Sequence, residues 1–406
     1  MEIDVRPLDG GLRAFYEAGE TAFSGQLRDE DWTVLEPAAE ADRAIAAYDG
    51  DRIVGTAGAF SFELTVPGGM LPAAGVTLVG VHATHRRQGI LRRMMTTQLD
   101  QVRDRGEPLA ILWASEGGIY QRFGYGLGSL RMGISIERHR NAFRLPHTPS
   151  GTVRFISADD AKRSFPLVHD AIRSGRAGFF NRTPAFWDAE FFHDPEHRRG
   201  GAGPAWYVLH EADGEPDGYA RYRIREQWDD TGSKSAVVVT ELMATNPGAH
   251  MDLWRFLMDI DLMGRVEAWN LAPDDPILLV MADPRALATT IGDALWVRVV
   301  DLPAALAGRS YRTDGRVVIE VADDVLPANA GRWLLTVGDG TAEVASTADA
   351  PDIACDITDL GATYLGAFTF AQLANAGRAR EIAHGGLERA DALFRTDRAP
   401  WCPKVF

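Results

Sequence analysis

The stretch Val79–Met95, "VGVHATHRRQGILRRMM", joins an apolar strand to an amphipathic helix through two consecutive arginines and a glycine. This junction constrains the fold more than any other part of the chain. On its helix side Leu91, Met94, Met95, Leu99 and Val102 recur at the spacing of one buried face. A helix N-terminus leaves about four backbone N–H groups without intrahelical partners and carries roughly half a positive charge. Gly89 places no Cβ between that backbone and a ligand. Arg86 and Arg87, with the amides of Gln88, Gly89, Ile90 and Leu91, therefore make a cradle for an anion. Their guanidinium forks suit phosphate oxygens, and Arg92 extends the set along the first turn. The similar letters "HRRGG" at His197–Gly201 lack both the strand before and the helical pattern after. They are expected to form a solvated loop.

Around the junction, strand patterns at Arg43–Gly50, Arg52–Phe60, on both sides of a Pro-Gly-Gly turn and at Pro108–Ala114 predict a mixed sheet. A helix is expected near Asp9–Ala22. The chain has 406 residues, more than one core accommodates. Its pattern divides into 1–148, 149–295 and 296–406. The middle piece shows a hairpin at Trp206–Arg225, a strand at Ala236–Ala244 and a helix after Asn246, without an arginine loop. The last piece reads as antiparallel strands followed by helices. The fold class expected is α/β (α+β), with the pieces packed closely because no Pro/Ser-rich linker separates them.

Composition narrows the ligand classes. A net charge of −15 repels nucleic acid and anionic lipid and attracts cations. No apolar run approaches a membrane span, and the start "MEIDVRPLDG" has no apolar signal core. Two cysteines, Cys355 and Cys402, are too few for a disulfide framework or a metal cluster. A cytoplasmic protein without a metal, membrane or nucleic-acid partner is expected.

The arginine loop lacks the Gly-Lys-Ser/Thr ending of a P-loop and the three spaced glycines of a dinucleotide fingerprint. A strand followed by Arg-Arg-x-Gly-Ile and a helix resembles the pyrophosphate loop of the GNAT N-acetyltransferase superfamily. The resemblance implies acetyl-CoA as co-substrate, with free backbone groups at Val79, Gly80 and Val81 pairing with the pantetheine arm. An exposed strand edge is what a chain of amides requires. Ser115 and Glu116 follow the next strand and would complete that side. Within "SEGGIYQRFGYG", Tyr120 precedes Gly124-Tyr125 as the superfamily's tyrosine that faces the coenzyme sulfur does. A phenol near pKa 10 can protonate a departing thiolate.

"THRRQGILRRM", "ASEGGIYQRFGYG", "LWVRVVDLPAALAGRSY", "DGYARYR", "YLGA" and an aromatic C-terminus together resemble the Eis family of aminoglycoside acetyltransferases. This implies two GNAT-type regions, only the first binding acetyl-CoA, then a domain like sterol carrier protein, assembled as a homo-hexamer. It also implies that the C-terminal carboxylate, here of Phe406 in "WCPKVF", accepts the amine proton. One departure is Val405 in place of an acid. Asp29, Glu30 and Asp31 either line the amine pocket or face solvent. The reading is an N-acetyltransferase for a cationic amine by direct transfer, with oxyanion stabilisation from backbone N–H near Val81. The alternatives are a lipid- or ligand-binding protein with a vestigial GNAT region, or an acyltransferase for protein lysine or polyamine.

Overall fold

The computed structural model describes residues 3–406. Its first sheet is built on a long hairpin, β3 (Arg52–Val66) and β4 (Gly69–Val81), closed by a turn in which Gly68 takes φ +72°. β1 (Asp4–Pro7) and β2 (Ile45–Asp49) extend it on one side. The arginine loop leads from β4 into α3 (Ile90–Asp104), which returns the chain to β5 (Leu109–Trp113), parallel to β4. α3 buries Ile90, Met94, Met95, Leu99 and Val102, the apolar stripe of its sequence. Gln98 is buried on the same face, and its Nε2 donates to the Gly58 carbonyl at 3.0 Å. α1 (Leu12–Ala22) and α2 (Asp29–Leu35) precede β2 in the chain, α1 packing on β3 and β4.

The two GNAT-like sheets exchange strands. After α4 (Gly117–Tyr120) and the short β6 (Gly126–Leu127), β7 (Leu130–Glu137) crosses into the second sheet. There it lies between β14 (Arg265–Leu271) and β15 (Thr290–Asp293). Reciprocally, β16 (Leu295–Val299) inserts between β5 and β6 of the first sheet. The sheets therefore do not follow the cuts expected at 148/149 and 295/296. The physical reason is the composition of β16: all five residues, Leu-Trp-Val-Arg-Val, are buried, and a strand buried on both faces belongs inside a sheet.

The second sheet is completed by β8 (Thr152–Phe155), β9 (Trp206–Ala212), β10 (Glu215–Arg225) and β13 (Ala236–Ala244). A small ribbon of β11 (Trp228–Asp229) and β12 (Gly232–Ser233) projects beside it. α5 (Ala158–Arg173), the short α6 (Pro184–Phe186) and α7 (Pro247–Asp259) complete this region. The third region has the expected antiparallel run, β17 (Gly315–Ala322), β18 (Gly331–Gly338) and β19 (Thr341–Ser346). β20 (Ile353–Asp356) adds parallel to β17, and β21 (Ala379–Glu381) closes the edge. Helices Ile357–Tyr364, Phe370–Asn375 and Gly386–Phe394 cover it. Its core runs without a break into the first sheet: Leu64, Leu295 and Val297 share one apolar cluster with Val317, Leu360 and Phe394. Among the described residues no helix is long and apolar enough to cross a membrane, and both cysteines are free and buried.

The joint between the first and third regions is a buried ion pair. The Arg298 guanidinium of β16 donates to both oxygens of Asp323, at 2.8 and 2.7 Å, with both side chains fully buried. Asp323 also accepts from the backbone of Val325 and Leu326, and those two residues pack in the cluster that holds Tyr120. Arg298→Met leaves the buried Asp323 without its countercharge, at a cost of about 3–5 kcal/mol. We expect a lowered thermal unfolding midpoint by calorimetry.

Candidate active site

β4 is interrupted where the site forms. Thr56 pairs with Gly80 and Gly58 with Thr77, so Leu78 and Val79 together face the single residue Ala57. Leu78 takes φ +50°, and its carbonyl accepts a hydrogen bond from the Thr56 hydroxyl at 2.7 Å. Such a bulge bends its strand. Accordingly, the parallel ladder of β4 with β5 runs only from Ala73 to Gly75. On its other edge β4 stays paired with β3 as far as Val81. Residues 76–81 are thus held rigidly on one side, and on the other they have no strand partner among the described residues. Gly80 is required by close packing: a Cβ there would stand 2.7 Å from that of Ala22 on α1.

This free edge lines a cavity of about 600 Å³. Val79, Gly80 and Val81 form its floor, and Arg86, Arg87, Gly89, Ile90, Leu91 and Arg92 form one end. Ser115, Glu116 and Tyr120 line it from the β5 side. The chain makes the sharp turn into α3 with left-handed φ at both Arg87 (+64°) and Gly89 (+76°). The Arg86 Nε donates to the Val81 carbonyl at 3.3 Å, tying the loop to the end of the strand. Gln88 is the one residue of the expected cradle that does not line the cavity. Ala22, Phe23, His85, Ile119, Arg122 and Phe123 line it as well. Of these, Phe23 was foreseeable, as an aromatic placed directly after α1.

The cavity reverses the charge of the protein around it. Four arginines (Arg86, Arg87, Arg92 and Arg122) face a single acid, Glu116, in a chain of net charge −15. A local concentration of guanidinium groups at a helix start suits a ligand carrying several phosphates. Arg87→Ala is expected to raise the Michaelis constant for acetyl-CoA and leave that for the amine unchanged. Losing one charge-assisted contact is worth about 1.5–3 kcal/mol, tenfold to a hundredfold; steady-state kinetics with each substrate varied would check it.

Tyr120 ends α4 and is buried, its ring 6.0 Å from and edge-on to Tyr125. Burial, reinforced by the Glu116 carboxylate, pushes its phenol up to about 12. It therefore stays protonated throughout the physiological range. Phe406 does not line this cavity. Its ring packs edge-on against Phe62 of β3 (5.0 Å) and Phe180 (5.2 Å). The tail leading to it is docked: Trp401 N–H donates to the Ala177 carbonyl at 2.9 Å, and the Arg176 Nε to that of Ala399 at 3.1 Å. Trp401 and Cys402 are buried, and the Trp113 indole at the end of β5 donates to the Cys402 sulfur at 3.3 Å.

The acids of α2 are committed elsewhere. Asp29 is paired with Arg13, Glu30 lies 3.5 Å from His197, and neither they nor Asp31 line the cavity. Asp31 is buried, with His193 Nε2 at 2.8 Å, His197 Nε2 at 2.9 Å and Arg198 Nε at 3.0 Å. Burial opposes its ionisation, but the His193 hydrogen bond and the Arg198 charge hold its carboxyl below the usual range. His197–Gly201 is an exposed loop, as expected from its sequence; only Arg199 within it is partly covered. From that loop the side chains of His197 and Arg198 reach back to Asp31, which supplies a buried countercharge.

Comparisons with known proteins agree with this geometry. Residues 6–128 and 178–299 each match the family of acetyltransferase (GNAT) domains, and residues 302–403 match the sterol carrier protein domain. The first match stops just before the strand that crosses to the second sheet, and the second includes the strand that crosses back. An uncharacterized N-acetyltransferase of Streptomyces avermitilis is 43% identical over the whole of both chains. The N-acetyltransferase Eis of Mycobacterium tuberculosis is 35% identical, over 95% of this chain and 94% of the relative. The crystal structure of Eis1 from Mycobacterium abscessus superposes over the whole of both chains, with a TM-score of 0.85 and 33% identity. The fold and site thus define an acetyltransferase of the GNAT type. Within that class, the chain belongs to the Eis-like family of N-acetyltransferases, with two GNAT domains and a sterol-carrier-like third domain.

Proposed function

We propose that this enzyme transfers the acetyl group of acetyl-CoA directly to a cationic amine of the aminoglycoside type. Tyr120 is the general acid and the Phe406 carboxylate the base. The observation that carries the reading is the cavity along residues 79–81, ended by the arginine loop and walled by Tyr120. Its floor is a strand edge with peptide groups available to the amides of pantetheine. The amide of Val81 or its neighbour stabilises the oxyanion as the amine attacks. Tyr120 then protonates the leaving thiolate, for which a phenol held neutral is suited.

The amine must lose a proton before it attacks, because an ammonium has no lone pair. A carboxylate on a docked tail supplies that acceptor, and the net charge of −15 favours the approach of a polycation. With the acids of α2 committed to ion pairs, the overall field and the tail carboxylate, more than α2, favour the cation. A homo-hexamer in the cytoplasm is part of the same proposal. A lipid-binding role is less favoured: a cavity in the third region carries four charged side chains, Glu320, Asp356, Arg378 and Arg380, beside Val321, Ala322, Ala354 and Cys355. The test is acetyl-CoA consumption with a panel of aminoglycosides, polyamines and lysine peptides, using a chain with a free C-terminus and product masses determined. Turnover of aminoglycosides above the other amines is expected. Absence of turnover with every cationic amine refutes the reading.

A further inference from the structure

The second sheet carries the same interruption as the first. Arg221 pairs with Glu241 and Tyr222 with Val239, so Thr240 is an extra residue on β13. The parallel ladder of β13 with β14 runs only from Ala236–Val239 against Arg265–Ala268. In the first sheet the matching gap opens on the arginine-loop cavity. In the second it receives the end of the chain itself.

Asn270, near the end of β14, makes the contact. Its Nδ2 donates to the carbonyls of Cys402 (3.1 Å) and Pro403 (3.0 Å), and its Oδ1 accepts from the Trp401 indole (3.0 Å). Asn270, Trp401 and Cys402 are all buried. Trp401 shares an apolar cluster with Met243 of β13 and Ala272 just beyond β14, one from each side of the gap. A single planar amide, with two donors and one acceptor engaged, thereby fixes three consecutive residues of the tail. Aspartate lacks the donors for this task, and alanine lacks both donors and acceptor.

We propose that Asn270 is a positioning residue for acetyl transfer: it seats Trp401–Pro403 in the splayed end of the second sheet and so sets where the Phe406 carboxylate stands. The second GNAT domain then serves as the holder of the catalytic tail. This rests on the reading that the Phe406 carboxylate takes the amine proton. A base displaced by about 1 Å costs on the order of a hundredfold in rate.

The test is a cycle of three variants of the full chain: Asn270→Ala, deletion of Phe406, and both together. Asn270→Ala is expected to lower kcat about tenfold to a hundredfold, with the Michaelis constant for acetyl-CoA unchanged, because that cavity lies on the other sheet. In the chain lacking Phe406 it should cause no further loss, since residues acting through one group are not additive. Unchanged kcat in Asn270→Ala, or a full additional loss in the double variant, overturns the proposal. Should Asn270→Ala fail to fold, Trp401→Phe carries the same cycle. It keeps an aromatic ring at the site and removes the N–H donated to Asn270 together with part of the indole, with a smaller loss and the same non-additivity expected. The two readings separate cleanly. If deleting Phe406 leaves kcat unchanged, the base assignment fails and takes this inference with it. If that deletion lowers kcat while Asn270→Ala and Trp401→Phe do not, the inference about Asn270 alone fails.

Discussion

Replacing Tyr120 by phenylalanine is expected to lower kcat by about a hundredfold or more, with acetyl-CoA and amine binding near normal. A positioned general acid contributes on the order of 10²–10⁴ to rate. The substitution removes one oxygen from a ring that is otherwise held by burial and by its edge contact with Tyr125. Structural damage should therefore be small. The pH dependence provides a second check. A general acid must be protonated to act, so activity that depends on Tyr120 in that role falls only as pH rises through its pKa. Burial raises that value to about 12, with Glu116 adding to the shift. The wild-type kcat profile should consequently show no alkaline fall near pH 10, where an exposed phenol would titrate. An alkaline limb near 10 that vanishes in Tyr120→Phe would contradict the buried-acid picture. Full activity of Tyr120→Phe would remove the residue from the mechanism.

The parts of this site that the sequence discloses are those built from neighbours in the chain. Residues 79–92 form strand, loop and helix in one run, and the cradle needs only that run to exist. Tyr120 is legible for the same reason, because it lies seven residues beyond the last residue of β5 (120 − 113 = 7). Features that depend on distant partners were not legible. Leu295 donates to the Ser129 hydroxyl across 166 positions, and nothing local in "LWVRV" specifies which sheet accepts it. The acids of α2 show the same limit. Whether Asp31 faced solvent or a pocket depended on His193 and His197, 162 and 166 positions away. A third case is α5, whose interior Pro166 normally ends a helix. Its local sign is Ser157, which caps the first turn by accepting from Asp160 N–H. Asn270 belongs to this group too, since an asparagine at the end of a strand signals nothing until Cys402 and Pro403 are placed beside it.

Deleting Phe406, or extending the chain past it with a tag, is expected to reduce kcat by about two to four orders of magnitude, the range of a general base. The Michaelis constant for acetyl-CoA should stay within a fewfold, because no residue of the tail lines the arginine-loop cavity. Phe406→Ala separates the two functions of the residue. It keeps the terminal carboxylate and removes the ring that packs on Phe62 and Phe180. Truncating a buried aromatic costs about 3–5 kcal/mol of local packing at most, and less here because Phe406 is only partly buried. An intermediate loss in kcat is expected, from a carboxylate still present but less well held by Trp401–Pro403 alone. The extended chain is the sharpest comparison, since it retains the ring and every contact upstream while converting the carboxylate to an amide. Rapid-mix measurement of the acetyl-transfer step, rather than steady-state turnover, separates this chemistry from product release. If the extended chain transfers acetyl at the wild-type rate, the amine proton leaves by another route, and the buried tail contributes to folding alone.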